Sequence, residues 1–173
     1  MTTLPALYPK ETATQIRKLL RAAFPATKFS VVTERGSMVS SVRIKWTDGP
    51  TVARVEEIAW LFKAGTFDGM TDSYAYDRSS FLEIDGVLYR PGCNYVFCRR
   101  EMSPAFVARL IAAVVKRWGL TAPEVRVSSY DGSGSVQATP EQDREAMTKT
   151  ARYWQDLVYQ AANDRSAFLD REG

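Results

Sequence analysis

The sequence predicts an α+β fold in which two pseudo-symmetric αββα units surround a central β-hairpin insert. Stretches whose apolar residues recur every three or four positions alternate with stretches whose apolar residues recur at every second position. The order helix, two strands, helix occurs at 11–64 and again at 104–162. In each copy a turn glycine, Gly36 or Gly132, follows the first strand residue by seven positions. We expect one domain over 1–173, with an antiparallel sheet and helices on one side of it.

The first copy opens with an amphipathic helix, predicted from about Glu11 to Phe24 and ended by Pro25. Two half-buried strands follow, since apolar and polar residues alternate along each of them. A second helix then starts at Thr51 and is expected to stop at Gly65. The expected buried positions of this copy are Ile16, Leu19, Leu20, Ala23 and Phe24, then Phe29, Val31, Val42, Ile44 and Trp46, and finally Val52, Val55, Ile58, Ala59 and Phe62.

The central insert, 65–102, is predicted to consist of strands. The run DSYAYD alternates, and Asp85-Gly86 suits a two-residue type I′ turn between apolar-rich arms. The run NYVFCRR is a further strand. Cys93 and Cys98 are five residues apart in this region, which puts them on opposite faces of a strand. Both cysteines are therefore expected to be free, buried thiols.

The second copy begins at Ser103-Pro104, a capping serine followed by a proline at the first helical position. Its first helix is apolar over a wide arc as far as Trp118, so it is expected to be deeply buried, with Gly119 as its C-terminal cap. A hairpin and a Thr139/Gln142 capping box follow. One long helix is then predicted to about Ala162, with a polar tail at 163–173. Its expected inward residues are Met147, Ala151, Trp154, Leu157, Val158 and Ala161.

Composition limits the possible chemistry. The chain has 23 basic and 20 acidic residues, a net charge of +3, and no histidine. Catalytic triads and metal sites that depend on imidazole are therefore excluded. The glycine-rich phosphate-binding motifs and the serine-nucleophile motif are also absent from the sequence. We expect no enzymatic activity, no cofactor and no metal. Without a secretion signal or a long apolar run, we expect a cytoplasmic protein with no membrane partner.

The run FDGMTDSYAYD carries three carboxylates, Asp68, Asp72 and Asp77, around Tyr74 and Tyr76. Carboxylates in this number could bind Mg²⁺ or act as acid and base. Asp and Gly are also the residues that form turns, so the same run could simply lead the chain into a strand. Where a loop leads into a strand, the four-residue spacing of Asp68 and Asp72 does not fix a common face, and both interpretations stay open. This run is the second candidate site.

A basic strand surface is the first candidate site. Arginines and a lysine occur on or beside the expected strands, at outward-facing or turn positions, where they could contact phosphates. Tyrosines could supply surfaces on which unpaired bases stack. The alternative is a solvated sheet face whose charges protect its edges. The candidate residues are Arg35, Arg43, Lys45, Arg99, Arg100, Tyr74 and Tyr76, with Arg126 and Tyr130 as further members.

The order of short motifs resembles the large polyvalent-protein-associated domains, specifically the type with WTDGPT and FDGMTD. These motifs lie at Trp46–Thr51 and Phe67–Asp72. Phe24-Pro25 with Lys28–Val31, Tyr95–Phe97 and Ser103–Phe106 complete the set, and the resemblance extends from about Glu11 to Tyr159. A longer middle insert and a histidine after Tyr-Val-Phe are usual in that family, whereas Cys98 and Arg99 stand there in this chain.

The resemblance implies a protein of phages, plasmids or conjugative elements and carries over no catalytic residue. It further implies an accessory protein that counters host defence by binding a defence protein or ribonucleoprotein complex, such as a CRISPR effector or a restriction enzyme. The alternative function is a nucleic-acid-binding module that protects or handles incoming DNA, with DNA or RNA as its partner. The sequence leaves the oligomeric state open.

Overall fold

A computed structural model describes residues 4–35, 40–68, 70, 73–76 and 81–164. It confirms the α+β class, with five α-helices and several small sheets in the described part. The chain divides into two compact units. Unit 1 comprises 1–46 and 52–99, and unit 2 comprises 47–51 and 100–173.

Unit 1 is built from strands with two helices. Its three-stranded sheet has the order β2-β3-β8, a second has the order β1-β7-β6, and β4 pairs with β5. The elements are β1 Ala6–Leu7, α1 Pro9–Ala23, β2 Phe29–Arg35, β3 Ser40–Thr47, α2 Val52–Ala59, a 3-10 turn Trp60–Phe62, β4 Gly65–Asp68, β5 Ser73–Tyr76, β6 Leu82–Ile84, β7 Val87–Pro91 and β8 Tyr95–Glu101, whose last two residues belong to unit 2. The core includes Ile16, Leu20, Val42, Ile44, Val55 and Phe62.

Unit 2 packs three helices with a two-stranded antiparallel hairpin. The elements are α3 Pro104–Trp118, β9 Glu124–Val127, β10 Gly134–Gln137, α4 Pro140–Thr150 and α5 Trp154–Asn163. The core of this unit is contributed mainly by α3 and α5, with Trp154 completely buried. The short segment 47–51, which begins with the last residue of β3, also belongs to this unit.

The arrangement of the strands differs from the expected single sheet. The described residues form four separate small sheets, and the predicted pseudo-symmetry is not confirmed. Among the described residues, the β2–β3 pair acquires a third strand, β8, whereas the β9–β10 sheet has two strands. Which distant strand joins a hairpin depends on contacts between segments far apart in sequence, and a local αββα pattern does not encode those contacts.

The turn and the helix caps that short stretches of sequence predicted are confirmed. Asp85 and Gly86 have φ of 51° and 80°, as a type I′ turn requires. The Ser103 hydroxyl accepts a hydrogen bond from the Phe106 N–H, Gly119 is left-handed at the end of α3, and Thr139 forms its capping box with Gln142.

Two predicted helix faces need correction. The helix α1 begins at Pro9, and its buried side includes Thr12, Ala13, Ile16 and Leu20, while Leu19 and Ala23 are exposed. The Thr12 hydroxyl donates to the Leu7 carbonyl, which lets a polar residue occupy the buried side. In α3, the terminal Trp118 is partly exposed.

The end of α2 and the final helix also differ from the prediction. The helix α2 passes into a 3-10 turn that is capped at Lys63, so Gly65 opens β4 instead of stopping the helix. The predicted final helix is two helices, with Ala151 in a left-handed conformation between them. Ala162, rather than the predicted Ala161, is buried. The Asp143 carboxylate accepts a hydrogen bond from the Trp154 N–H, which fixes the start of α5.

Replacing Ala151 by Gly is expected to raise the free energy of unfolding by roughly 0.5–1 kcal/mol. Ala151 has φ of 57°, a region that disfavours side chains with a Cβ and that glycine enters without strain. The matched control is Ala112→Gly in the exposed interior of α3, which should cost about 1 kcal/mol. Urea unfolding followed by circular dichroism measures both changes, and equal destabilisation by the two glycines would contradict the expectation.

In the described ranges, every helix is too short or too polar to cross a membrane.

Candidate binding surface

The β2-β3-β8 sheet has one face toward the core of unit 1 and one face outward. Val42, Ile44 and Trp46 of β3 are buried, so the residues between them point outward. In β8, Val96 is buried and Cys98 packs against the same core, which turns Tyr95, Phe97 and Arg99 outward. The sheet therefore presents a surface that we call the outer face, formed by Val32, Glu34, Arg43, Lys45, Tyr95, Phe97 and Arg99.

The register of β8 on β3 brings these outward residues side by side. The N–H of Asp48, directly after β3, donates to the carbonyl of Glu101 at the end of β8 over 2.8 Å. The two strands therefore end together and run in the same direction, unlike the antiparallel β2–β3 pair. Counting back along both strands from this bond places Phe97 beside Arg43 and Arg99 beside Lys45.

An exposed aromatic ring lies at the centre of the outer face. Half of the Phe97 surface, 50%, is accessible to solvent. Its ring lies parallel to that of Tyr95, with an interplanar angle of 4° and a centroid separation of 5.9 Å. Val32, on the other side of Arg43 across the sheet, is also 52% exposed. Two exposed apolar side chains, Phe97 and Val32, thus lie on either side of Arg43 on the outer face.

Basic side chains surround this ring, with one acidic partner. The Arg43 guanidinium forms two 3.0 Å contacts with the Glu34 carboxylate, and both side chains are about half exposed. Arg99 is exposed and Lys45 is partly exposed. Each of these two also interacts with other groups of the protein. Three cations and one carboxylate leave the outer face with a net positive charge.

Arg100, predicted as part of the binding surface, has a different position. Its guanidinium belongs to unit 2 and donates to three carbonyl oxygens, those of Asp48 at 3.0 Å, Gly49 at 2.7 Å and Ala162 at 2.8 Å. It also lies over the ring of Phe106, 4.7 Å from the centroid. These contacts occupy its donors inside the protein, so we leave Arg100 out of the outer face.

The loop that Arg100 holds is the centre of the WTDGPT motif. Asp48 and Gly49 both have left-handed backbones, with φ of 56° and 59°. The Asp48 carboxylate accepts hydrogen bonds from the Ser103 N–H and from the Ser103 hydroxyl, each at 2.7 Å. The same hydroxyl accepts from Phe106 at the start of α3. The motif residues are therefore explained by structure: they join the loop 47–51 to the first turn of α3.

The family profile described as large polyvalent protein associated domain 29 matches residues 7–103. This match covers more than half of the chain and contains the whole outer face. The chain belongs to this family. The large polyvalent protein associated domain thus includes the Asp48 loop and ends at Ser103, short of the expected limit near Tyr159. No curated protein and no solved structure matches the chain in these comparisons.

The remaining predicted members of the basic surface lie on other elements or have side chains outside the described part of the structure. Tyr74 and Tyr76 lie in β5, which pairs with β4 in the described residues. For these tyrosines and for Arg35 the structure describes the backbone only. Arg126 and the highly exposed Tyr130 are in unit 2, on β9 and in the β9–β10 connection.

Two of the three carboxylates of the acidic candidate site lie outside the described residues. Asp68 ends β4, where its backbone pairs with Ser73. Asp72 and Asp77 lie outside the described residues, so the arrangement of the three carboxylates stays a prediction. Within the described part of the chain, no three His, Cys, Asp or Glu side chains are close enough together to hold a metal ion.

Sequence reasoning missed the aromatic centre of the outer face. Tyr95 and Phe97 belong to the Tyr-Val-Phe motif, and their two-residue spacing with Arg99 was a signal that all three share one face. Alternation shows which residues share a face, but it does not tell which face is buried. The burial of Val96 decides that point.

The two thiols are free, as predicted, and are expected to react slowly with iodoacetamide at neutral pH. Burial and the nearby Glu56 carboxylate raise the pKa of the Cys98 thiol to about 12, and burial also raises the pKa of Cys93. Because the thiolate is the reactive form, a raised pKa leaves only a small fraction of each thiol able to react at neutral pH. Mass spectrometry of native and guanidinium-unfolded samples measures the difference. Labelling as fast in the native protein as in the unfolded one would contradict the expectation.

Proposed function

We propose that this protein is an accessory protein of a mobile element that counters host defence by binding a defence complex, such as a CRISPR effector or a restriction enzyme. Membership of the large polyvalent protein associated domain family associates the chain with mobile elements and supports this setting. The observation that carries the binding role is the outer face, where an exposed aromatic ring lies among three cations.

The composition of the outer face suits a binding surface. Aromatic residues and arginine are the types enriched where binding energy concentrates, since an aromatic ring buries area at low entropic cost and a guanidinium forks to acidic groups. Phe97 supplies the ring, and Arg43 and Arg99 supply the guanidinium groups. Acidic groups of a defence complex, either carboxylates or phosphates, would complement the positive charge of this face.

A transformation assay tests the proposal. Host cells that carry one defined CRISPR effector or restriction enzyme receive a targeted plasmid, with or without this protein. We expect the protein to raise the number of transformants, and Arg43→Ala/Arg99→Ala to abolish the gain. The double variant should melt within a few degrees of the parent, because exposed charges contribute less than about 1 kcal/mol each.

The matched control is Arg21→Ala, an exposed arginine in the last turn of α1, which packs on the buried side of unit 1 and should protect as well as the parent. Absence of protection against every defence system tested would refute the proposal. Full protection by the double variant would instead move the binding site away from the outer face, and the stretch Asp68–Asp77 would be tested next.

A nucleic-acid-binding module that handles incoming DNA is the second candidate function. The flat, exposed ring of Phe97 among cations favours it, since such rings stack on bases. Salt dependence separates the two candidates. Phosphate contacts make affinity fall steeply as salt rises, whereas a protein partner does not require this behaviour.

A further inference from the structure

We propose that the ligand of the outer face is single-stranded nucleic acid, with a base stacked on Phe97 and phosphates against Arg43, Lys45 and Arg99. This inference rests on the proposed function in one respect, that the outer face is the contact surface. It adds the chemistry of what is contacted, which is an unpaired strand of DNA or RNA, whether carried by a defence complex or entering the cell.

The ring of Phe97 is placed to accept a base. Half of its surface is open to solvent, and its parallel neighbour Tyr95 supports it on the same strand. A base that stacks on an aromatic side chain gains about 1–3 kcal/mol with little dependence on sequence. A duplex cannot offer the faces of its paired and stacked bases to such a ring, which predicts a preference for single strands.

The cations lie at a suitable distance for the phosphates of a stacked nucleotide. Arg43 is beside Phe97 on the neighbouring strand, and the backbones of the two strands are about 5 Å apart. Arg99 is two residues further along β8, so its Cα lies about 7 Å from that of Phe97, and Lys45 is beside Arg99 on β3. The nucleotide could therefore keep its base on the ring while its backbone contacts the basic side chains.

Glu34 already occupies the Arg43 guanidinium, which provides a test of the proposed phosphate contact. Its carboxylate holds the Arg43 guanidinium at 3.0 Å, so a phosphate has to compete with it for the same donors. Removing the charge by Glu34→Gln should release Arg43 and strengthen nucleic-acid binding. If the outer face binds no nucleic acid, Glu34→Gln would produce no gain in binding.

The test is fluorescence anisotropy of the purified full chain with labelled mixed-sequence oligonucleotides, as single-stranded DNA, single-stranded RNA and duplex DNA. We expect single strands to bind more tightly than the duplex. Phe97→Leu, which keeps an apolar side chain, should weaken binding about tenfold with an unchanged salt slope, whereas Arg99→Ala should lower the salt slope by about one. Glu34→Gln should bind more tightly than the parent, and Arg21→Ala, on α1, should bind equally well.

Any of three results would overturn the inference: no binding of single strands at low salt, equal binding by Phe97→Leu and the parent, or preference for the duplex. Thermal melting of each variant checks that loss of binding is not loss of folding. Failure here with protection in the transformation assay would indicate a protein ligand and leave the proposed function standing. Binding here without protection would refute the proposed function alone.

Discussion

Replacing Arg100 by Ala is expected to lower the free energy of unfolding by roughly 3 kcal/mol. The Arg100 guanidinium donates to the carbonyl oxygens of Asp48, Gly49 and Ala162 and lies over the Phe106 ring. Alanine would leave three carbonyls, two of them in partly buried contacts, without their charged donor and would open a space against the ring. Loss of packing thus adds to the loss of hydrogen bonds.

Chemical denaturation followed by circular dichroism measures this loss, and the neighbouring residue provides the control. Arg99→Ala removes the same side chain from the exposed outer face and should cost less than about 1 kcal/mol. Arg100→Lys should recover only part of the stability, because an ammonium group cannot reproduce the fork of donors that reaches several carbonyls. Equal costs for Arg99→Ala and Arg100→Ala would show that the contacts of Arg100 contribute little.

Replacing Gly134 by Ala is expected to cost roughly 3 kcal/mol, at the upper end of overpacking effects. A Cβ at Gly134 would lie 2.7 Å from the Cα of Pro104, 2.8 Å from its nitrogen and 3.0 Å from the Ser103 carbonyl oxygen. These are backbone atoms at the start of α3, so no side-chain rotation relieves the overlap. The N–H of Gly134 also donates to the Met102 carbonyl at 2.7 Å, and any shift of the hairpin would strain that bond.

A second glycine of the same hairpin is the matched control. Gly132 has φ of 69° and open space around it, so Gly132→Ala should cost only about 1 kcal/mol from backbone strain. Ser135→Ala, at an exposed position of β10, should be nearly neutral. Thermal unfolding of the three variants ranks them. A Gly134 variant as stable as the Gly132 variant would show that the hairpin moves away from α3 without cost.

Features that depend on a few neighbouring residues could be predicted from the sequence. The turn at Asp85-Gly86, the cap at Ser103 and the box at Thr139 each involve groups at most three residues apart in the chain. Propensity and capping chemistry act over this range. The break at Ala151 was missed for a physical reason. Alanine is a strong helix former, and the hydrogen bond that the Trp154 backbone N–H donates to the Asp143 carboxylate, at the start of the next helix, spans eleven residues.

The sequence by itself determined the α+β class, the free thiols and the family, because alternation, helical periodicity and short motifs are local properties. Only the tertiary structure decided which of two adjacent arginines faces outward and which is held by carbonyls, because that choice depends on β8 pairing with β3 some fifty residues earlier in the chain. The same pairing placed Phe97 among the cations of the outer face. Such pairings arise from the summed burial of distant segments, which no short window of sequence contains.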